Sequence, residues 1–214
     1  MKKIWTISVI MTGLLLIVIS SIGYAQSGKK AGGAFLLNDK NSLVHVQFEA
    51  PFKQDTKVVE LKPVQLSDTF TIEAVVKPAK TQSPYAGILG NHHAEGGFVI
   101  QQRDTEANTF YYGYHDGTNL QESVQVKLQA DKWNYLVISQ NKTKVTAYVN
   151  GKQVASGPVT GTFKNSALPL IVGNWINGDR PFTGTIREVK ISNGNLTDKL
   201  IKASYDAILK KKLK

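Results

Sequence analysis

Four groups of residues in this 214-residue sequence have types and spacings from which chemistry could be built. The first is carboxylate. Retaining hydrolysis of a glycosidic bond needs two carboxyl groups about 5–5.5 Å apart, which a strand supplies when acids alternate on one face. Glu188 is followed by Val189 and Lys190, and Glu73 stands alone between Ile72 and Ala74, so neither has an alternating partner. Asp104 and Glu106 do alternate, but in a predicted loop that would not hold a pair rigidly. The second group is His92-His93. Adjacent strand residues face opposite sides, so this pair could chelate only from a loop, and His45 and His115 are remote in sequence. Two exposed loop histidines are the expectation, and no metal is assigned to them.

The third and fourth groups are aromatic and polar. Between residues 110 and 116, alternation puts Phe110, Tyr112 and Tyr114 on one strand face and Tyr111 and His115 on the other. One set fills a core, and the other leaves aromatic surface beside Asp116 and the turn Gly117-Thr118-Asn119. Flat rings with nearby carboxylates and amides suit sugars: the ring covers a C–H face and the polar groups meet hydroxyls. The segment 174–180 has the same composition, with Trp175, Asn177, Asp179 and Arg180. Trp175 has two readings, a ligand contact or a lid on the end of a sandwich; loops between sandwich strands are where binding residues concentrate. The candidate ligand residues are therefore Tyr112, Tyr114, His115, Asp116, Asn119, Trp175, Asn177, Asp179 and Arg180.

The elements that must position these residues are short strands. Phe70, Ile72, Ala74 and Val76 alternate with Thr71, Glu73, Val75 and Lys77, and Pro78 ends the run by removing a ladder donor. Further runs fall at 43–48, 58–61, 87–89, 98–102, 109–114, 124–128, 133–139, 144–149, 152–156, 168–172 and 184–192. Asn150-Gly151 sits directly between two of them, a strong signal for a type I′ hairpin. Asp116-Gly117, Asn177-Gly178 and Asn193-Gly194 mark other turns. Many short strands with frequent turns predict a β-sandwich or barrel. One helix is predicted after Thr197, a suitable N-cap, with Asp198 in the first turn. Its apolar stripe is Leu200, Ile201, Tyr205, Ile208 and Leu209, so it is expected to pack at the edge of the sandwich.

The N-terminus predicts export. Lys2 and Lys3 precede an uncharged apolar run over 4–22, and Gly23-Tyr24-Ala25 offers small residues for cleavage. Residues 1–25 are read as a signal peptide and 26–33 as a flexible lead-in. One domain follows over 34–196, then a helix and basic tail over 197–214. An uncleaved anchor is the alternative, and the only route by which a membrane is expected as a partner. There is no cysteine, which excludes thiol nucleophiles and cysteine-bound zinc. A domain of this size has core enough to dispense with disulfides. The net charge of +10 is partly gathered in a lysine-rich C-terminus, which reads as a solvated tail. Nucleic acid is not an expected partner, because an exported chain without a recognition motif gives no reason for one.

Several stretches resemble, in order and spacing, a bacterial laminin-G-like domain of the concanavalin A-like lectin/glucanase superfamily. Residues 70–78, FTIEAVVKP, resemble the family's FTIEAWVKP strand; 87–90 are GILG, and 132–139 are KWNYLVIS. YVNGKQV at 148–154 is similar to YVDGKLV, LIVGN at 170–174 to LxIG, and FTGTIREVKI at 182–191 to FxGxIDEVRIY. The resemblance implies an all-β, two-sheet antiparallel jelly-roll sandwich with a closing helix. Trp133 is expected to bury its ring between the sheets. The resemblance also implies calcium held by acidic residues near the loops, but Arg187 stands where the family has aspartate. Val75 stands where it has tryptophan. The E-x-D-x-x-E arrangement of glucanase relatives is absent. The expected function is an exported, non-catalytic glycan-binding module, located in the periplasm, secreted or at the cell surface. A protein–protein adhesion module is the alternative, with a cell-surface protein as partner, and a glycoside hydrolase of the same fold comes third.

Overall fold

The computed structural model describes residues 34–36, 42–48 and 59–210. The predicted signal peptide and lead-in lie outside the described residues, as does the end of the basic tail. Alternating runs such as Phe70–Pro78 and Leu120–Lys127, together with short runs buried on both faces such as Leu170–Val172, make thirteen strands among the described residues. In chain order they are β1 (Ala34–Leu36), β2 (Val44–Phe48), β3 (Val59–Leu61), β4 (Phe70–Pro78), β5 (Gly87–Gly90), β6 (Phe98–Gln102) and β7 (Thr109–His115). There follow β8 (Leu120–Lys127), β9 (Asn134–Gln140), β10 (Lys144–Val149), β11 (Lys152–Pro158), β12 (Leu170–Val172) and β13 (Gly184–Asn193), and then helix α1 (Asp198–Lys210).

The strands form two antiparallel sheets. One has seven strands in the order β1-β2-β13-β4-β9-β10-β11, and the other six in the order β3-β12-β5-β6-β7-β8. The inner faces close on a single core. Phe70, Ile72, Ala74, Val76, Leu136, Ile138, Val189 and Ile191 come from the first sheet. Phe98, Ile100, Phe110, Tyr112, Tyr114, Leu170 and Val172 come from the second. Burying a large side chain of this kind stabilises the fold by about 1.5–3 kcal/mol. The chain is thus the two-sheet antiparallel jelly-roll sandwich with a C-terminal helix that its sequence predicts.

Local signals explain the joints. Asn150 and Gly151 take φ of 54° and 75°, the positive values a type I′ turn needs, and join β10 to β11. Asn150 also accepts the Tyr135 backbone N–H through Oδ1 at 2.9 Å. Thr197 Oγ1 accepts the Leu200 N–H at 3.3 Å and so caps α1, while Asp198 Oδ1 accepts the Tyr148 hydroxyl at 2.7 Å.

Two expectations need correction. The helix does not sit at an edge; it lies on the outer face of the seven-stranded sheet. There Ile201 packs with Val75, Tyr135, Val137 and Tyr148, and the Tyr205 ring stacks on Tyr135 at 6.4 Å. A valine at position 75 leaves room for that helix, and Leu200, placed in the apolar stripe by spacing, remains 52% exposed. Trp133 likewise lies not between the sheets but among the outer apolar cluster under α1. The cause is alternation: Trp133 keeps the parity of Tyr135 and Val137, which face outward, and a bulge between Ile186 and Glu188 leaves Arg187 unpaired in the ladder against β4. Its guanidinium covers the Trp133 ring at 5.3 Å. Among the described residues, no helix is long and apolar enough to cross a membrane.

Candidate functional site

The six-stranded sheet has an outer face that α1 does not cover, and its chemistry is set by register. Phe110, Tyr112 and Tyr114 point into the core, so Tyr111 and His115 point out. On the neighbouring β6, Gln101 pairs with Tyr111 and therefore shares that face. Tyr111 hydroxyl and Gln101 Nε2 are hydrogen-bonded, and Gln101 Oε1 accepts from Arg180 at 3.2 Å.

Arg180 comes from the loop between β12 and β13, which is built around one buried side chain. Asn174 Oδ1 accepts the N–H of Trp175 at 2.8 Å and of Arg180 at 2.9 Å, and its Nδ2 donates to Gly178 O at 3.3 Å. Gly178, at φ 77°, closes the turn by donating its N–H to Trp175 O. Backbone bonds from Phe182 to Gly173 and from Gly87 to Arg180 tie both ends of the loop to the sheet. Trp175 and Arg180 are thus placed by backbone, not left on a free loop.

The result is a row of flat groups. The His115 and His92 rings stack at 5.5 Å, and His92 meets Trp175 at 5.6 Å. The Arg180 guanidinium lies 4.6 Å from the Trp175 ring and 5.4 Å from the Tyr85 ring. Tyr85 is 41% exposed and holds φ of 57°, a left-handed conformation that is costly for a side chain of this size. Burial, with the neighbouring His115, His93 and Arg180 charges adding to it, lowers the His92 pKa from 6.5 to about 4. At neutral pH His92 is therefore an uncharged ring, while Arg180 brings a positive charge to the row. Burial also raises the Tyr111 hydroxyl, which stays protonated.

The nine residues singled out from the sequence do not all arrive here. Trp175, Arg180 and His115 do, although His115 is only 4% exposed and its Nδ1 accepts the Gly117 N–H at 3.0 Å. Tyr112 and Tyr114 must be withdrawn as ligand contacts, because they are 1% and 0% exposed between the sheets. Their hydroxyls are satisfied internally: Tyr112 donates to Gln140 Oε1 at 2.7 Å and Tyr114 to Thr160 O at 2.9 Å. Asp116 is committed to its own turn, accepting the N–H groups of Thr118 and Asn119 at 2.8 Å each and Gln121 Nε2 at 2.8 Å. Those bonds hold its carboxyl below the usual range. Asn119 is exposed in that turn, and Asn177 and Asp179 are exposed on the 174–180 loop. Sequence reasoning missed Tyr85, Gln101 and Asn174 and took His92 for an ordinary loop histidine. Only Pro84-Tyr85 carried a local sign, an aromatic residue inside a turn.

Glu73 and Glu188 share the outer face of the other sheet, where each is occupied. Tyr135 hydroxyl donates to Glu73 Oε2, and His45 Nε2 donates to Glu188 Oε1 at 2.7 Å. Gln47 Nε2 adds a bond to Glu188 Oε2 at 3.2 Å. Among the described residues, no three His, Cys, Asp or Glu side chains converge as metal ligands. With Arg187 lying over Trp133, the described residues do not fit the calcium that the laminin-G resemblance implied.

Comparison with known proteins agrees with the fold. Domain 4 of AbnA, an extracellular arabinanase of Geobacillus stearothermophilus solved with arabinotriose, superimposes with a TM-score of 0.57 at 18% identity. The match covers 81% of this chain and 82% of that one. The binding domain of botulinum neurotoxin DC, solved in complex with SialylT, gives a TM-score of 0.58 at 15% identity, over 83% of this chain and 45% of that one. Usherin of Rattus norvegicus is 23% identical over 151 residues, covering 66% of this chain but only 3% of usherin. Residues 53–202 match the family model described as the concanavalin A-like lectin/glucanases superfamily. That span is most of the sandwich and the start of its helix, and the chain belongs to this superfamily.

Proposed function

We propose that this chain is an exported, non-catalytic carbohydrate-binding module whose ligand lies across the outer face of the six-stranded sheet. One observation carries the reading: His92, Trp175 and Tyr85 form a row of rings interleaved with Arg180, which the buried Gln101 and Tyr111 hold from beneath. Rings of this kind cover the C–H faces of a pyranose or furanose, while the guanidinium meets its oxygens. The strained, exposed Tyr85 supports it, since such strain is kept where the surrounding structure has a use for it. The arabinanase domain with arabinotriose and the neurotoxin domain with SialylT support a carbohydrate ligand on this fold. The extracellular setting of the arabinanase agrees with the export signal read in residues 1–25. The absence of catalysis is supported by the engagement of Glu73 and Glu188 with their own neighbours.

A glycan array probed with the chain, with and without calcium, tests the proposal. Glycan capture that is independent of calcium is expected, and it should be lost in Trp175→Ala. An array without a hit, with capture of a defined envelope protein by the same face, would replace the proposal with the adhesion reading. Sugar binding that survives Trp175→Ala and Tyr85→Ala would move the site elsewhere.

A further inference from the structure

Arg180 is held in a way that a neutral ligand does not require. Its guanidinium is fixed between two rings, 4.6 Å from Trp175 and 5.4 Å from Tyr85, and oriented by Gln101 Oε1 at 3.2 Å. That one acceptor leaves most of its five N–H donors without a protein partner. No carboxylate of the described residues lies within ion-pair distance of it, and the adjacent Asp179 is exposed without engaging it. Elsewhere on the same face the rule is different, since Arg103 is paired to Glu122 at 2.5 Å. The groups in contact with Arg180 are Trp175, Tyr85 and Gln101, and none of them is a carboxylate.

A half-buried cation without a counter-charge is costly unless something supplies one. A planar guanidinium with its face covered and its edge free matches the bidentate geometry of a carboxylate. The rings on either side prevent it from turning away, so little side-chain freedom is lost on binding. The net charge of +10 adds a long-range attraction for an anion, and Arg180 gives it a place.

From this geometry we infer that the glycan taken by the face carries a carboxylate, as in a uronic acid or a sialic acid, and that Arg180 receives it. The inference rests on the carbohydrate reading given above. Short oligosaccharides in matched pairs test it by calorimetry, because long polyanions would bind any basic protein. One pair is a trigalacturonate and its methyl ester, and the other is sialyllactose and lactose; together they separate the two sources of carboxylate. At least one acidic member should bind about tenfold or more better than its neutral partner, the scale of hydrogen bonds to a charged group. In Arg180→Gln that ratio should fall to about one, and in Arg180→Lys to an intermediate value, because the fork geometry is lost while the charge stays. Lys152→Gln, on β11 of the other sheet, should leave the ratio unchanged.

Equal binding of both members of both pairs would overturn the inference and leave the carbohydrate proposal standing. So would a preference for acid that survives Arg180→Gln, or one that disappears in Arg187→Gln, the other arginine stacked on a tryptophan. Failure of every member of both pairs, with an empty array, would instead remove the carbohydrate proposal and this inference with it. Circular dichroism of Arg180→Gln checks that a lost ratio is not a lost fold.

Discussion

The two outer faces of this sandwich are made of similar residues and put to different use. On the seven-stranded sheet the tyrosines are covered: Tyr135 stacks on Tyr205 of the helix and donates to Glu73, and Tyr148 donates to Asp198. Glu188 on the same face is held by His45 and Gln47. Acid there meets a donor from the chain itself. On the six-stranded sheet the rings stack with one another, and the cation among them has no acid. Aromatic composition alone therefore does not mark a binding surface. What separates the faces is whether the charged group beside the rings already has its counter-charge.

The largest effects should be found by breaking the covered face. Ile201 is fully buried between α1 and the sheet, and truncating such a side chain costs about 2–5 kcal/mol. Ile201→Ala should lower the urea midpoint accordingly while leaving carbohydrate binding unchanged. Equal loss of binding and stability would mean the two faces are not independent. On the open face the expectation reverses. Trp175→Ala should weaken binding about tenfold or more, the range of a buried aromatic contact, while changing stability by about 1 kcal/mol or less. Asn174→Ala lies between these, because Asn174 is 2% exposed and serves two backbone donors. Leaving them unsatisfied should cost about 1–3 kcal/mol and loosen Trp175 and Arg180 together. Loss of both stability and affinity in that variant would identify it as a positioning residue.

The sandwich was legible because its signals are local. Val145 and Ala147 alternate with polar neighbours, and Asn150-Gly151 demands positive φ at two adjacent residues; neither depends on distant chain. Helix α1 was legible from Thr197 and the spacing of Ile201 and Tyr205, but not the face it covers. That face is set by what α1 meets, namely Val75, Tyr135 and Tyr148 from three strands. The candidate site was half legible. In β7 both strand faces are aromatic, so alternation defined two sets without saying which was inside. The answer lay in the neighbouring β8, where Val124 and Val126 sit opposite Tyr112 and Phe110 and draw them into the core. The row itself joins residues 85, 92 and 101 to the loop that carries 175 and 180, and no spacing rule connects those segments. Trp175 and Arg180 could be found from composition; their partners needed the sheet register.

The smallest effects distinguish the faces by the sign of their pH dependence. His92 has a folded pKa of about 4, below its ordinary 6.5, so the unfolded chain takes up the proton first as pH falls. Its contribution to stability is fully present above about 6.5 and is lost as pH falls toward about 4. Glu73 behaves oppositely. Burial raises its carboxyl above 4.5, against the lowering effect of the Tyr135 hydrogen bond, so the folded chain holds the proton longer as pH rises. Its contribution is present below 4.5 and is lost as pH climbs through the raised value. Urea titrations across that range should therefore sum two contributions of opposite slope. His92→Gln should flatten the one that rises with pH, and Glu73→Gln, which keeps an acceptor for Tyr135, the one that falls. If both substitutions flattened the same slope, the two faces would share one titration, and the electrostatic contrast between them would be wrong.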